Sequence, residues 1–203
     1  DGGELGVDGS IKIMDNLTEH IKNNGYDIII ITCDWHPHNH ISFKEWGKHC
    51  VQFTHGASIY QPLYKCVEEN SNNFKVLTKG NLINKEEYSI MDNYESSKKL
   101  LRFIDMFNVS QIDVCGCVSE ICVLNSVKGL VNAKQTAKIK VLLDYTVKLS
   151  THEPLIEYCK ENGIAPFEVK SAKGFEPKTF KKIEKKNIGF NFEIEDVRSS
   201  NDL

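Results

Sequence analysis

The sequence has no dominant charge. Its 25 Lys and Arg stand against 28 Asp and Glu, a formal net charge of −3, which gives no electrostatic footing for nucleic acid or an anionic membrane surface. No apolar run approaches the length of a membrane-spanning helix, and there is no internal repeat. The seven cysteines are odd in number and follow no disulfide-framework spacing. A chain of 203 residues is also large enough to bury a core without such staples. The expected setting is reducing and cytoplasmic. What remains, 40% hydrophobic and 26% charged, is ordinary globular composition in one principal domain.

Strand and helix patterns alternate along the chain. "SIKIMDNLTEHIKNNG" (10–25) places Ile11, Met14, Leu17 and Ile21 at helical spacing, with Ser10 as the expected N-cap and Gly25 as the stop. "YDIIIIT" is a β-branched run, expected to form a strand over 27–32 that is buried on both faces. Residues 44–90 look irregular apart from a short strand at 75–78. A helix over 93–109, a strand over 111–118, a helix over 120–137, a strand over 138–147 and a capped helix over 151–163 follow, with a last strand near 166–170. This alternation predicts right-handed βαβ units and a mainly parallel sheet in an α/β domain over 1–172. Residues 173–203 form a charged tail, Lys-rich and then acidic. The Gly-rich opening "DGGELGVDGS" leads straight into the first helix. Such loops normally follow a first, central strand, so residues carrying that strand are expected to precede Asp1.

Three stretches have chemical potential. "CDWHPHNHISF" (33–43) begins where a buried strand should end, the edge at which open parallel sheets bind ligands. Asp34 and His36, two apart in extended chain, point to one side. His40 and His49 follow, and His38 is expected to face solvent. One carboxylate with two or three imidazoles suits zinc, manganese or iron(II); the same residues would equally serve as loop side chains with local hydrogen bonds. Cys122 lies just past a strand at the start of a helix, where free N–H groups and the helix dipole favour a thiolate and an oxyanion. The other six cysteines read as buried or incidental thiols. Lys79 ends the short strand beside Gly80, a position that a solvated lysine would also occupy.

Together these stretches resemble the nicotinamidase branch of the isochorismatase-like cysteine hydrolase family. The matches run in order: "GGELGV", "DWHPHNHISF", "WGKHCVQFTHGA", "KG" with "EEYS", "DVCGCVSEICV" and "VLLDYT". They span roughly residues 2–165. The resemblance implies a three-layer α/β/α, Rossmann-like hydrolase fold and hydrolysis of nicotinamide to nicotinate and ammonia in NAD salvage. It assigns Cys122 as nucleophile and Lys79 as catalytic lysine. The third catalytic group, an aspartate, belongs to a family stretch ahead of the glycine loop, before Asp1.

The resemblance further implies one divalent metal ion on Asp34, His36 and His49. Zinc is the first choice, manganese and iron the alternatives, and His40 is either a fourth ligand or a neighbour of the set. A cis peptide is expected before Val118, whose N–H would form an oxyanion hole with that of Cys122. Trp46 and Tyr88 match aromatic residues of the pyridine pocket. Nicotinamide is the implied small-molecule partner, with no nucleic acid and no membrane, and family members are often homo-oligomers. Three alternatives stand beside this. One is another amidase or hydrolase of the same family. The second is a non-catalytic descendant. The third is a zinc structural site on Cys115, Cys117 and Cys122, which their placement on a buried strand and the following helix disfavours.

Overall fold

The structure, a computed structural model, describes residues 5–71, 73–164 and 166–167. Helix α1 (Ser10–Asn24) leads to strand β1 (Ile29–Asp34), a short α2 (Phe43–Trp46), α3 (Gln61–Asn70) and β2 (Phe74–Lys79). Then come α4 (Tyr94–Met106), β3 (Gln111–Cys117), α5 (Leu124–Asn132), β4 (Lys138–Val147), α6 (Glu153–Glu161) and β5 (Pro166–Phe167). All strand pairs are parallel. They form two ladders, β1–β2 and β3–β4–β5, and among the described residues no ladder joins β1 to β3.

Helices cover both faces, as parallel strands require. Leu17 and Ile21 of α1 pack with Cys66 and Val67 of α3 against Ile29, Ile31, Phe74, Cys115 and Tyr145. On the other side Val127 of α5 and Leu155 and Cys159 of α6 pack on Val141 and Leu143 of β4. Leu155 has no solvent exposure. Truncating it leaves a cavity in a close-packed layer, so Leu155→Ala is expected to cost about 2–5 kcal/mol of unfolding free energy, read as a fall in the denaturation midpoint.

Several local expectations are corrected. Gly9, in the left-handed conformation, occupies the N-cap of α1 and Ser10 is its first residue, with no side-chain cap. Strand β1 starts two residues later than expected and is half-buried, with Thr32 exposed; among the described residues it pairs only with β2. The irregular 44–90 segment contains α2 and α3. The latter has Pro62 in its first turn and Leu63, Cys66 and Val67 on one face. The helix expected over 120–137 is a π-turn, Ser119–Val123, followed by α5, which ends at Asn132. α4 ends at Met106. α6 spans Glu153–Glu161, and its N-cap His152 makes no side-chain cap bond. Residues 168–170 of the last expected strand, the tail 173–203 and residues 1–4 of the glycine loop lie outside the described residues.

Candidate active site

The parallel register brings the first two groups together. Asp34, last in β1, pairs with Lys79, last in β2, so both side chains leave the same sheet edge. The Lys79 ammonium donates to Asp34 Oδ1 and to the Glu87 carbonyl at 2.9 Å. His36 follows, its N–H bonded to the Cys50 carbonyl at 2.9 Å, while Gln52 N–H returns to the His36 carbonyl at 2.8 Å. This bridge draws the 49–52 segment alongside 34–36 and brings His49 in. One ligand atom each from Asp34, His36 and His49 lie within 4.8 Å of one another.

Hydrogen bonding fixes the tautomers these imidazoles need. His36 Nδ1–H donates to the Gly80 carbonyl at 3.0 Å, and His49 Nδ1–H to the Gly47 carbonyl at 2.8 Å. Each ring therefore keeps its Nε2 lone pair for a ligand, the arrangement metal-binding histidines use. Burial lowers the pKa of His36, against the opposing pulls of the Gly80 carbonyl and Asp34, which favours the neutral ring that a metal takes. Metal–N bonds of about 2.0–2.1 Å put two ligands of one ion at most about 4.2 Å apart. A spacing of 4.8 Å closes with small side-chain adjustments, so the donor set fits a divalent cation.

His40 stands beside this set. Its Nδ1 bonds Ser42 Oγ at 2.7 Å and its Nε2–H donates to the Lys85 carbonyl at 3.0 Å. With both nitrogens engaged it offers no ligand atom. Instead its ring stacks on His36 at 4.1 Å between centroids. His38 is exposed, as expected.

Cys122 sits in the π-turn that follows β3. The Cys117–Val118 peptide bond is cis, and Val118 makes a backbone hydrogen bond to the Cys122 thiol. The thiol differs from expectation: burial pushes it above its ordinary value, and Lys79 opposes that shift without overcoming it. The partnership is mutual. Burial alone would lower the Lys79 pKa, but Cys122 and Asp34 more than offset it and hold the ammonium charged. Of the other thiols, Cys66 and Cys159 are buried and Cys117 is exposed; all seven are free. Trp46 ends α2 next to Gly47, and Tyr88 follows Glu87; both are half-buried.

Two acidic residues that the sequence reading passed over organise this region. Glu120, two residues before Cys122, accepts the N–H groups of Leu149, Ser150 and Thr151 at 2.7–3.0 Å. Burial works against its charge, but these donors prevail and push its pKa down to about 2. Ser119 Oγ bonds His152 Nδ1 at 2.8 Å, so the turn that carries Cys122 is pinned to the β4–α6 connection twice. A carboxyl with a depressed folded pKa contributes stability that is full above its unfolded value and is lost as pH falls toward the folded one. Wild type should therefore lose more stability than Glu120→Gln between about pH 6 and about pH 3, measured by denaturant unfolding at each pH. The second residue is Glu87, whose carboxylate accepts the Gly80 N–H at 2.7 Å. Both belong to quoted motifs, "VSEICV" and "EEYS", but neither has a local pattern that announces a tertiary partner.

No family model matches the chain. It is 25% identical over 163 residues to the nicotinamidase of Saccharomyces cerevisiae, spanning 66% of this chain and 74% of that one. Among solved structures, the pyrazinamidase of Pyrococcus horikoshii in complex with zinc superposes with a TM-score of 0.66 at 29% identity, covering 82% of this chain and 90% of that one. An isochorismatase-like hydrolase from Alkaliphilus metalliredigens, at 17% identity, shares the fold with a TM-score of 0.58 over 75% of this chain and 79% of that one. The parallel α/β fold, with its site at the carboxyl ends of β1, β2 and β3, is that of an isochorismatase-like hydrolase. Within that class the relatives it is similar to include a nicotinamidase and a pyrazinamidase.

Proposed function

We propose that this protein hydrolyses nicotinamide to nicotinate and ammonia through a thioester on Cys122, serving NAD salvage. The observation that carries the reading is the convergence of Asp34, His36 and His49 on a sheet edge that also presents Lys79, electrostatically coupled to Cys122. A divalent ion on that triad, zinc by analogy with the pyrazinamidase neighbour, would supply a Lewis-acidic anchor for the pyridine nitrogen. Asp34, His36 and His49 would hold it, and Trp46 and Tyr88 would flank the ring.

Residues of this chain, together with the aspartate that the family resemblance implies, carry the remaining steps. Lys79 stabilises the Cys122 thiolate at the moment of attack, offsetting the burial that otherwise keeps the thiol protonated. The thiol proton goes to the aspartate that the family pattern places ahead of the glycine loop, and from there to the departing amine. Attack on the carboxamide carbon forms the C–S bond and an oxyanion. The N–H groups of Val118 and Cys122 receive that charge, a contribution of about 2.7–4 kcal/mol per donor in comparable sites. Ammonia leaves, water attacks the thioester, and nicotinate departs.

The test is ammonia release from nicotinamide by the purified full-length protein, with and without a chelator. Turnover that stops on chelation and returns with added zinc supports the reading. Folded, zinc-loaded protein that leaves nicotinamide intact moves the activity to another amide of the same family's chemistry.

A further inference from the structure

Glu87 is among the most deeply buried side chains, with 1% of its surface exposed. Burying a carboxylate is costly unless its charge is met by donors, and here three are supplied. Lys85 Nζ donates to Oε1 at 2.8 Å, while Gly80 N–H at 2.7 Å and Asn93 Nδ2 at 2.8 Å both donate to Oε2. Burial raises the Glu87 pKa, but these donors outweigh it and keep the group charged.

The partners are not arbitrary. Gly80, which gives its N–H to Glu87, takes the Nδ1–H of His36 on its carbonyl at 3.0 Å. The carbonyl of Glu87 itself accepts the Lys79 ammonium at 2.9 Å. Lys85, the cation among these donors, gives its carbonyl to His40, which stacks on His36. Asn93, the third donor, is the N-cap of α4, where its Oδ1 accepts Ser96 N–H at 3.0 Å. One carboxylate thus closes the 80–87 loop on itself, anchors it to a helix, and fixes both the acceptor of a metal-ligand histidine and the acceptor of the catalytic lysine.

We propose that Glu87 is a positioning residue that sets the metal site and Lys79 as a unit: its carboxylate holds the Gly80 peptide that orients His36, and its backbone carbonyl holds Lys79. The proposal rests on the proposed function above. Glu87→Gln keeps the shape and one acceptor oxygen, but turns an amide donor toward a cluster that already consists of donors. The Gly80 peptide and the Lys79 acceptor then loosen together.

The experiment compares wild type, Glu87→Gln, Glu87→Ala and the remote core variant Leu155→Ala. Zinc affinity of the metal-free proteins is read by competition with a chromophoric chelator, alongside kcat and KM for nicotinamide and the thermal midpoint. Zinc affinity is expected to fall about 10–100-fold in Glu87→Gln, the usual range for residues that orient metal ligands, and at least as far in Glu87→Ala. A fall in kcat should accompany it even at saturating zinc, because Lys79 is displaced as well. Leu155→Ala should lose stability while keeping its zinc affinity. The proposal is overturned if Glu87→Gln, or Glu87→Ala where Gln fails to fold, binds zinc as wild type does. It is equally overturned if zinc affinity falls only as far as in Leu155→Ala. A wild type that binds zinc but does not release ammonia would fault the proposed reaction instead, leaving the zinc comparison intact.

Discussion

Cys122→Ala is expected to lower nicotinamide turnover by about 10⁴-fold or more, the scale on which removal of a covalent nucleophile acts, while zinc affinity stays at the wild-type level. The two halves of this expectation come from separate features. Cys122 is carried by the π-turn after β3, whereas the metal-type ligands come from β1 and the loop segments 36–49. Loss of the sulfur therefore removes the atom proposed to form the thioester without touching an imidazole. Cys122→Ser should be nearly as impaired. Burial already holds the thiol above its ordinary pKa against the pull of Lys79, and a hydroxyl is a far weaker acid than a thiol. Steady-state ammonia release, with zinc titration of the same samples, checks both halves. Retention of more than about a hundredth of the turnover in Cys122→Ala would remove the residue from the proposed chemistry.

The second large effect is at Gly80. A Cβ built there would lie 2.3 Å from His36 Cε1 and 2.4 Å from Nδ1, on a backbone with φ of +66°. His36 has little room to yield, because His40 stacks on one side and Phe43 and His49 meet its ring edge-on. Gly80→Ala should therefore displace the imidazole, break the Nδ1–H bond to the Gly80 carbonyl and lower zinc affinity by about 100-fold or more, with turnover falling in parallel. Gly25→Ala is the matched control. It too has positive φ, +59°, but its Cβ would meet nothing within 4 Å. It should cost only about 1–2 kcal/mol of stability and leave zinc binding alone. Competition titration of the two variants separates the clash from the backbone strain that they share.

The contrast between these residues shows what was legible in the sequence. Asp34, His36 and Lys79 could be read because a strand end and a two-residue spacing suffice to put side chains on one edge, and the register of β1 against β2 then aligns Asp34 with Lys79. Cys122 could be placed after a strand, but its environment could not. The dipole argument pointed to an acidic thiol, whereas burial prevails. His40 illustrates the same limit. Its spacing left it between ligand and neighbour, and only its two hydrogen bonds, to Ser42 and Lys85, decide the matter. Glu87 and Glu120 were out of reach for a related reason. Their partners include backbone N–H groups at Gly80 and at 149–151, and which N–H groups a carboxylate meets depends on how loops fold back, not on neighbouring letters. The missed helix α3 is different: Leu63, Cys66 and Val67 carry a helical spacing, and the irregular text around them obscured it.

The most direct test of the account is to quench nicotinamide turnover with acid in its first milliseconds and map the protein by mass spectrometry. A nicotinoyl thioester is expected on Cys122, formed with an equivalent of ammonia and cleared as nicotinate appears. Ammonia released with Cys122 unmodified at every time point, or a nicotinoyl group found on another residue, would contradict it.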